Sequence, residues 1–131
     1  DTGVTLVLIT HDVGVVARAT RQLLVMYAGR AVETGPTAAL LEEPRMPYTR
    51  ALLAASPDLA GSVERRLTPV PGAPPSLLHP PSGCPFHPRC DRVDDVPGDR
   101  CLTELPDLRR TADGRTRRCH LDPATLRGRD D

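Results

Sequence analysis

The longest uninterrupted run of hydrophobic positions lies near the start of the chain. Residues 4–10 have the sequence VTLVLIT, a continuous series of aliphatic and β-branched side chains. This pattern predicts a strand buried on both faces of a parallel sheet. The chain contains too few strands of this kind to surround it, so we expect its partner strands to lie upstream. Because the chain also opens at Asp1 without an initiator methionine, we expect it to be a piece of a longer protein.

Helical spacing and turn residues predict the next elements. Asp12 is a good N-cap for a helix that runs to about residue 20. Residues 23–27 and 30–34 predict two short strands. They are joined at Ala28-Gly29, where glycine permits the positive φ of a tight hairpin.

Prolines mark the helices that follow. Pro36 suits the first turn of a helix that runs to about residue 43. Pro47 opens a second helix with Tyr48 and Leu52 along one face. Residues 1–55 therefore have the pattern of the closing part of an α/β domain.

The hydrophobic pattern changes in the second half. Residues 56–83 contain seven prolines, which favour an extended surface connector over helix or central strand. Residues 84–122 carry every cysteine of the chain, and we expect a small irregular segment there. Residues 123–131 have the composition of a polar, frayed tail.

Composition narrows the class of protein. Only 2% of the residues are aromatic, so we expect a modest core within the first 55 residues and another source of stability beyond it. The 17 basic residues are balanced by 17 acidic ones, which gives no electrostatic case for a nucleic-acid partner. No apolar run approaches the roughly 18 residues that span a bilayer. These features predict a soluble, cytosolic protein.

The four cysteines, Cys84, Cys90, Cys101 and Cys119, lie within 36 residues of one another. Two disulfides would stabilise such a segment, but thiols stay reduced in the cytosol. Four unrelated buried thiols form a second alternative. A metal centre accounts best for the clustering, and four thiolates suit tetrahedral zinc or a [4Fe–4S] cluster equally well. The spacing does not distinguish these two metals.

Histidines and arginines near the cysteines are weaker candidates for roles in a metal site. His79, His87 and His120 are candidate extra ligands, although surface or supporting roles are commoner for single histidines. Arginines at positions 89, 115, 117 and 118 would offset thiolate charge, or would form an ordinary solvated face.

His11 is the second candidate site residue. It follows the predicted buried strand directly, and in open α/β sheets ligands bind beyond the carboxyl ends of the strands. A lone histidine at such a position is more often structural than functional.

Several motifs, in order, resemble one protein family. LITHDVGVVA (8–17) and VMYAGRAVETG (25–35) resemble the end of the ATP-binding subunits of ABC transporters. PYTRALLAA (47–55), PGAPPSLL (71–78) and CPFHPRC (84–90) narrow the resemblance to the oligopeptide/dipeptide importer branch. The resemblance extends from residue 1 to about residue 122.

The resemblance implies a fold and a set of roles. Residues 1–55 would be the C-terminal part of a P-loop ABC ATPase domain, and the Cys-rich segment would be its metal-binding appendage. His11 would be the switch histidine, which contacts the γ-phosphate of ATP and aligns the attacking water. Cys84, Cys90, Cys101 and Cys119 would ligate a [4Fe–4S] cluster, so iron–sulfur moves ahead of zinc.

The same resemblance implies partners and a location. ATP and Mg²⁺ would bind the full-length subunit, which would pair with a second ATPase subunit, identical or different. Both would work with transmembrane permease subunits, on the cytoplasmic face of the membrane.

Two features depart from the family pattern. The ten residues between Cys90 and Cys101 exceed the family's usual spacing. The phosphate-binding GxxxxGK[ST] loop, the glutamine loop, the SGGQ signature and the Asp-Glu pair that handles magnesium are all missing from the 131 residues. We therefore expect the C-terminal portion of a peptide importer's ATPase subunit, inactive alone. The alternative is a stand-alone cysteine-ligated interaction module without catalysis.

Overall fold

A computed structural model of the chain describes residues 3–56 and 68–127. Its helices are α1 (Val13–Ala19), α2 (Thr37–Glu42), α3 (Pro47–Ala54), α4 (Arg100–Thr103) and α5 (Pro123–Arg127). Its strands are β1 (Gln22–Tyr27), β2 (Arg30–Pro36), β3 (Leu108–Arg110) and β4 (Thr116–Arg118). Short 3-10 helices occupy His87–Arg89 and Val93–Asp95. Among the described residues, no helix is both long enough and apolar enough to span a membrane.

The elements predicted between residues 12 and 55 are present. Asp12 caps α1, where its Oδ1 accepts a 3.0 Å hydrogen bond from the Val15 amide. The β1–β2 hairpin turns at Ala28 and Gly29, whose φ angles of 48° and 74° are those of a type I′ turn. Pro47 occupies the first turn of α3.

The prediction of a buried strand at residues 4–10 is wrong for this chain on its own. These residues form no strand, and Val4, Val7 and Ile9 are 81%, 81% and 94% exposed. A strand needs hydrogen-bonded neighbours, and the sheet present here does not include this segment. The apolar run is therefore an uncovered surface.

The sheet that the described residues form is antiparallel and joins the two halves of the chain. Its strand order is β1-β2-β4-β3, so β4 from the Cys-rich segment pairs with β2 of the first hairpin. The Thr34 and Thr116 hydroxyls share a 2.6 Å hydrogen bond across this junction. The Cys-rich segment is thus less irregular than predicted, because β2 offers it an edge on which to pair.

The core also draws on both halves, which corrects the expectation of a core confined to the first 55 residues. Val25, Val32 and Leu40 pack in one cluster with Phe86 and Leu121. All three aromatic rings of the chain meet there: the Tyr27 ring centroid lies 4.5 Å from that of Tyr48 and 5.2 Å from that of Phe86.

The connector and the tail are only partly described. Residues 57–67 of the predicted connector lie outside the described residues, and residues 68–83 contain no helix or strand. The start of the predicted tail forms α5, in which Leu126 is 3% exposed. The Arg50 and Arg92 guanidinium groups donate to main-chain carbonyls of α5.

Candidate cysteine centre

The fold brings all four predicted cysteine ligands to one small cavity, which we call the thiol pocket. Cys84, Cys90, Cys101 and Cys119 line it together with Phe86, and no carboxylate does. The pocket has room for about one water, with a volume of about 10 Å³. None of the four forms a disulfide. The disulfide alternative therefore does not describe this structure.

Local structure explains how the first two cysteines converge. After Cys84 the chain turns through a 3-10 helix, in which the amide of His87 donates to the Cys84 carbonyl at 3.0 Å and that of Cys90 to the His87 carbonyl at 3.2 Å. Between the two cysteines, Phe86 is 2% exposed and packs edge-on against Tyr27. This buried ring attaches the turn to the sheet.

Cys101 reaches the same pocket across the long interval after Cys90. It lies on α4, and its carbonyl accepts a 2.8 Å hydrogen bond from the Cys84 amide. Gly83 permits this approach, because a Cβ there would lie 2.4 Å from the Cys101 carbonyl oxygen. The extra residues between Cys90 and Cys101 therefore do not carry Cys101 away from the other thiols.

Burial dominates the acid–base chemistry of the thiols. It raises the pKa of Cys90 to about 12 and that of Cys101 to about 11, and it raises the pKa values of Cys84 and Cys119 as well. Neighbouring thiols reinforce the effect, Cys119 for Cys90 and Cys84 for Cys101. All four stay protonated at neutral pH unless a cation compensates the thiolate charge.

The described residues contain no group of three or more His, Cys, Asp or Glu side chains arranged to hold a metal ion. The four thiols thus share a pocket without the close geometry that a single tetrahedral ion requires, in which each sulfur lies about 2.3 Å from the metal.

The three histidines that were predicted as candidate extra ligands differ in their relation to the thiol pocket. His87 lines the thiol pocket, and its Nδ1 lies 2.9 Å from the Cys84 carbonyl oxygen. His120 is half-buried, with its Nε2 2.8 Å from the Glu104 carbonyl oxygen, and His79 is exposed within the Pro-rich segment. Only His87 of these three is placed to support the cysteines.

The arginines near the cysteines are mainly structural. Arg115 is 3% exposed and donates to the carbonyls of Ala39 and Glu43 at the end of α2. Arg118 donates to the carbonyls of Ala31 and Pro106. Arg89 donates from Nε to the Pro71 carbonyl at 2.6 Å and so holds the connector.

His11 stands apart from the cysteines. It is exposed, and it does not line the thiol pocket. Its neighbours are ordered, because the Asp12 amide donates to Thr10 Oγ1 at 3.0 Å while the Asp12 side chain caps α1. The imidazole is therefore presented to solvent from a capped helix start.

The sequence patterns did not predict Glu33 as a buried charge. This β2 carboxylate has no exposed surface; its Oε1 accepts a 2.7 Å hydrogen bond from the Arg45 amide, while its Oε2 has no hydrogen-bond partner among the described residues. Burial raises its pKa above the ordinary value. The surrounding apolar residues of β2 gave no signal for this charge.

Comparison with known families decides the relationship of the chain. The family model described as "Oligopeptide/dipeptide transporter, C-terminal region" matches residues 32–96. The chain is 48% identical over 121 residues, 91% of its length, to the dipeptide transport ATP-binding protein DppD of Escherichia coli. The chain belongs to this transporter family. The resemblance inferred from its motifs is thereby confirmed.

Other members of the oligopeptide/dipeptide transporter family are also similar. The oligopeptide transport ATP-binding protein OppD of Mycobacterium bovis is 50% identical over 107 residues, 82% of the chain. The dipeptide transport ATP-binding protein DppF of Haemophilus influenzae is 37% identical over 121 residues, 92% of the chain. The chain spans 36% of the length of DppD and of DppF, and 17% of that of OppD.

Proposed function

We propose that this chain is the C-terminal portion of the ATP-hydrolysing subunit that powers peptide import through an ABC transporter. The observation that carries this proposal is the 48% identity to DppD over 91% of the chain. In the whole subunit, ATP and Mg²⁺ would be held mainly by the phosphate-binding loop and other motifs that these 131 residues lack. A second ATPase subunit and transmembrane permease subunits would be its partners, at the cytoplasmic face of the membrane.

The exposed apolar run at residues 4–9 supports this proposal. Its side chains have the composition of a central strand, yet Leu6 is 75% exposed and Ile9 is 94% exposed. Covering them requires neighbouring strands, which the rest of a larger α/β domain would supply. A stand-alone module would instead leave this apolar surface in water.

His11 is proposed as the residue that contacts the γ-phosphate. Its exposure leaves the imidazole open to a ligand, and the Asp12 cap holds the main chain beside it. Such a group acts by positioning and charge stabilisation in phosphoryl transfer.

A chimeric protein tests both the proposed role of the chain and the proposed role of His11. The matching C-terminal stretch of E. coli DppD would be replaced by this chain, and ATP hydrolysis by the purified chimera would be measured. We expect turnover in the chimera and none in the isolated chain. His11→Ala should lower kcat by about 100-fold, the usual effect of losing one charge-stabilising donor.

The control is His79→Ala, which alters an exposed histidine within the Pro-rich segment and should leave the rate unchanged. Full turnover in His11→Ala would contradict the assignment of His11. ATP-saturable turnover by the isolated chain would contradict the proposal that the catalytic machinery lies elsewhere. An in-frame phosphate-binding loop upstream of Asp1 would exclude the stand-alone module.

The four cysteines are proposed to hold a [4Fe–4S] cluster, with zinc as the alternative. Cysteine sulfurs are the usual ligands of iron–sulfur clusters. All four cysteines line one apolar pocket, and no carboxylate lines it. Cys84, Cys90, Cys101 and Cys119 would each lose a proton and supply one thiolate to iron. When bound, such a cluster would cross-link the sheet, α4 and the turn after Cys84, and it would offer one-electron redox chemistry.

Metal content tests this assignment. Anaerobically purified chain should be brown, with broad absorbance near ~400 nm and iron and sulfide in roughly equal amounts. Cys→Ser at any of the four positions should lower the iron content, whereas His87→Ala should retain it. Colourless protein with stoichiometric zinc would favour the alternative metal, and a full cluster in Cys101→Ser would remove Cys101 from the ligand set.

The small size of the thiol pocket allows a second test of cluster binding. A cluster is much larger than the roughly 10 Å³ now open among the thiols, so binding must move them apart. We expect hydrogen exchange at the Cys84 amide, which bonds the Cys101 carbonyl, to differ between metal-bound and metal-free chain.

A further inference from the structure

A second cavity adjoins the thiol pocket and is lined by arginine. Arg45, Arg109, Arg110 and Arg117 line it, and its volume is about 400 Å³. Cys119 belongs to the walls of both cavities. Asp122 is the one acidic residue in the lining. We call this cavity the arginine groove.

The β3–β4 hairpin creates the groove by placing like charges together. Arg109 lies directly opposite Arg117 in the antiparallel register, and like charges at opposed positions destabilise a sheet. On the other side of β4, Arg117 is opposite Glu33, which is fully buried and partly compensates it. Within residues 3–56 and 68–127, the Arg109 guanidinium has one ion-pair partner, Asp107 at 3.8 Å, and both side chains are largely exposed.

The groove also contains guanidinium donors without acceptors. The Arg110 side chain makes no hydrogen bond or ion pair with any residue that the structure describes, although its main chain pairs with Thr116 in the sheet. Arg45 bridges Glu43 and Asp113 through its terminal nitrogens, but its Nε is buried and has no hydrogen-bond partner in the described part of the chain. Asp122 is occupied by the Ala124 amide, which donates to its Oδ1 at 2.7 Å.

We propose that the arginine groove binds a small polyvalent oxyanion with at least two phosphate groups, of which diphosphate is the simplest. Guanidinium groups pair with phosphate oxygens through two parallel hydrogen bonds, so phosphate chemistry matches the lining. A volume of about 400 Å³ is in the range of small-molecule sites and exceeds what one phosphate would fill. The bound anion would accept hydrogen bonds from the exposed Arg109 and Arg110 guanidinium groups. The terminal nitrogens of Arg117 donate to the Arg45 and Leu121 carbonyls, so Arg117 would act mainly through its positive charge.

Calorimetric titration of the 131-residue chain with diphosphate tests the proposal. At low ionic strength we expect saturable binding that weakens as salt is added. Arg110→Ala should weaken binding about tenfold, because it removes one charge-assisted contact, while the fold keeps every described bond. Arg30→Ala, an exposed arginine at the start of β2 outside the groove, should bind like the unmodified chain.

Several results would contradict the proposed diphosphate site. No binding of diphosphate, or equal affinity in Arg110→Ala and Arg30→Ala, would overturn the site. Equal affinity for inorganic phosphate would overturn its polyvalent character, and tighter binding of citrate would overturn the preference for phosphate. The experiment needs neither ATP hydrolysis nor bound iron, so it is independent of the proposed function.

Discussion

Gly83→Ala is the substitution that most directly tests how the cysteine centre is built. Gly83 has φ of +67°, and a Cβ there would lie 2.4 Å from the Cys101 carbonyl oxygen and 2.6 Å from the Leu102 carbonyl carbon. Both contacts are with main chain, which cannot rotate away. Alanine at this position must therefore adopt a strained left-handed conformation and also push the two segments apart.

The expected loss follows from these contacts. The left-handed conformation costs alanine about 1–2 kcal/mol. Separating the segments also breaks the 2.8 Å hydrogen bond from the Cys84 amide to the Cys101 carbonyl, a loss of about 1 kcal/mol. We expect the free energy of unfolding to fall by about 3 kcal/mol in total, roughly 10 °C in Tm.

Gly98→Ala is the matched control. Gly98 has a similar φ of +74°, but no heavy atom lies within 4 Å of the position that an alanine Cβ would occupy, so only the conformational cost of about 1–2 kcal/mol remains. Urea denaturation of the metal-free chain, followed by circular dichroism, measures both variants. Equal destabilisation would refute the argument that the close approach of Gly83 to α4 holds Cys84 beside Cys101.

Three further predictions concern the fold and its pH dependence. Ala28→Asn should raise the free energy of unfolding by about 0.5–1 kcal/mol, because asparagine tolerates the positive φ of the type I′ turn better; an unchanged Tm would contradict this. Arg115→Met should destabilise by about 3 kcal/mol because it removes the buried donor to the Glu43 carbonyl at the end of α2 and the ion pair with Asp113, whereas exposed Arg30→Met should change stability by less than about 0.5 kcal/mol. Stability should decline as the pH rises from about 9 towards 12, because the unfolded chain ionises its thiols first while burial raises the pKa of Cys90 to about 12; stability that stays constant to about pH 11 would refute this cause.

The local elements near the start of the chain were predictable because their determinants are adjacent in sequence. Asp12 caps its own helix, and the glycine after Ala28 permits the turn that joins β1 to β2. The β3–β4 hairpin was missed, although Asp113-Gly114 between two short runs is a turn signal that could have found it. Arginine-rich strands lack the alternating apolar pattern on which strand prediction depends.

The candidate sites were likewise predictable only in part. The clustering of the cysteines pointed to a shared site, and the fold places all four at one pocket. The arginine groove could not be predicted, because it needs Arg45 from the α2–α3 connection beside Arg109 and Arg117 from a hairpin more than 60 residues later. Only long-range packing brings these groups together.

The sequence by itself determined the family, the helix caps, the first hairpin and the identity of the four thiols, because each depends on residue types at short spacing. The tertiary structure decided how the halves combine: β4 pairs with β2, and Phe86 packs against Tyr27. It also decided that residues 4–9 remain exposed in this chain, because a strand pattern creates a strand only where neighbours supply its hydrogen bonds.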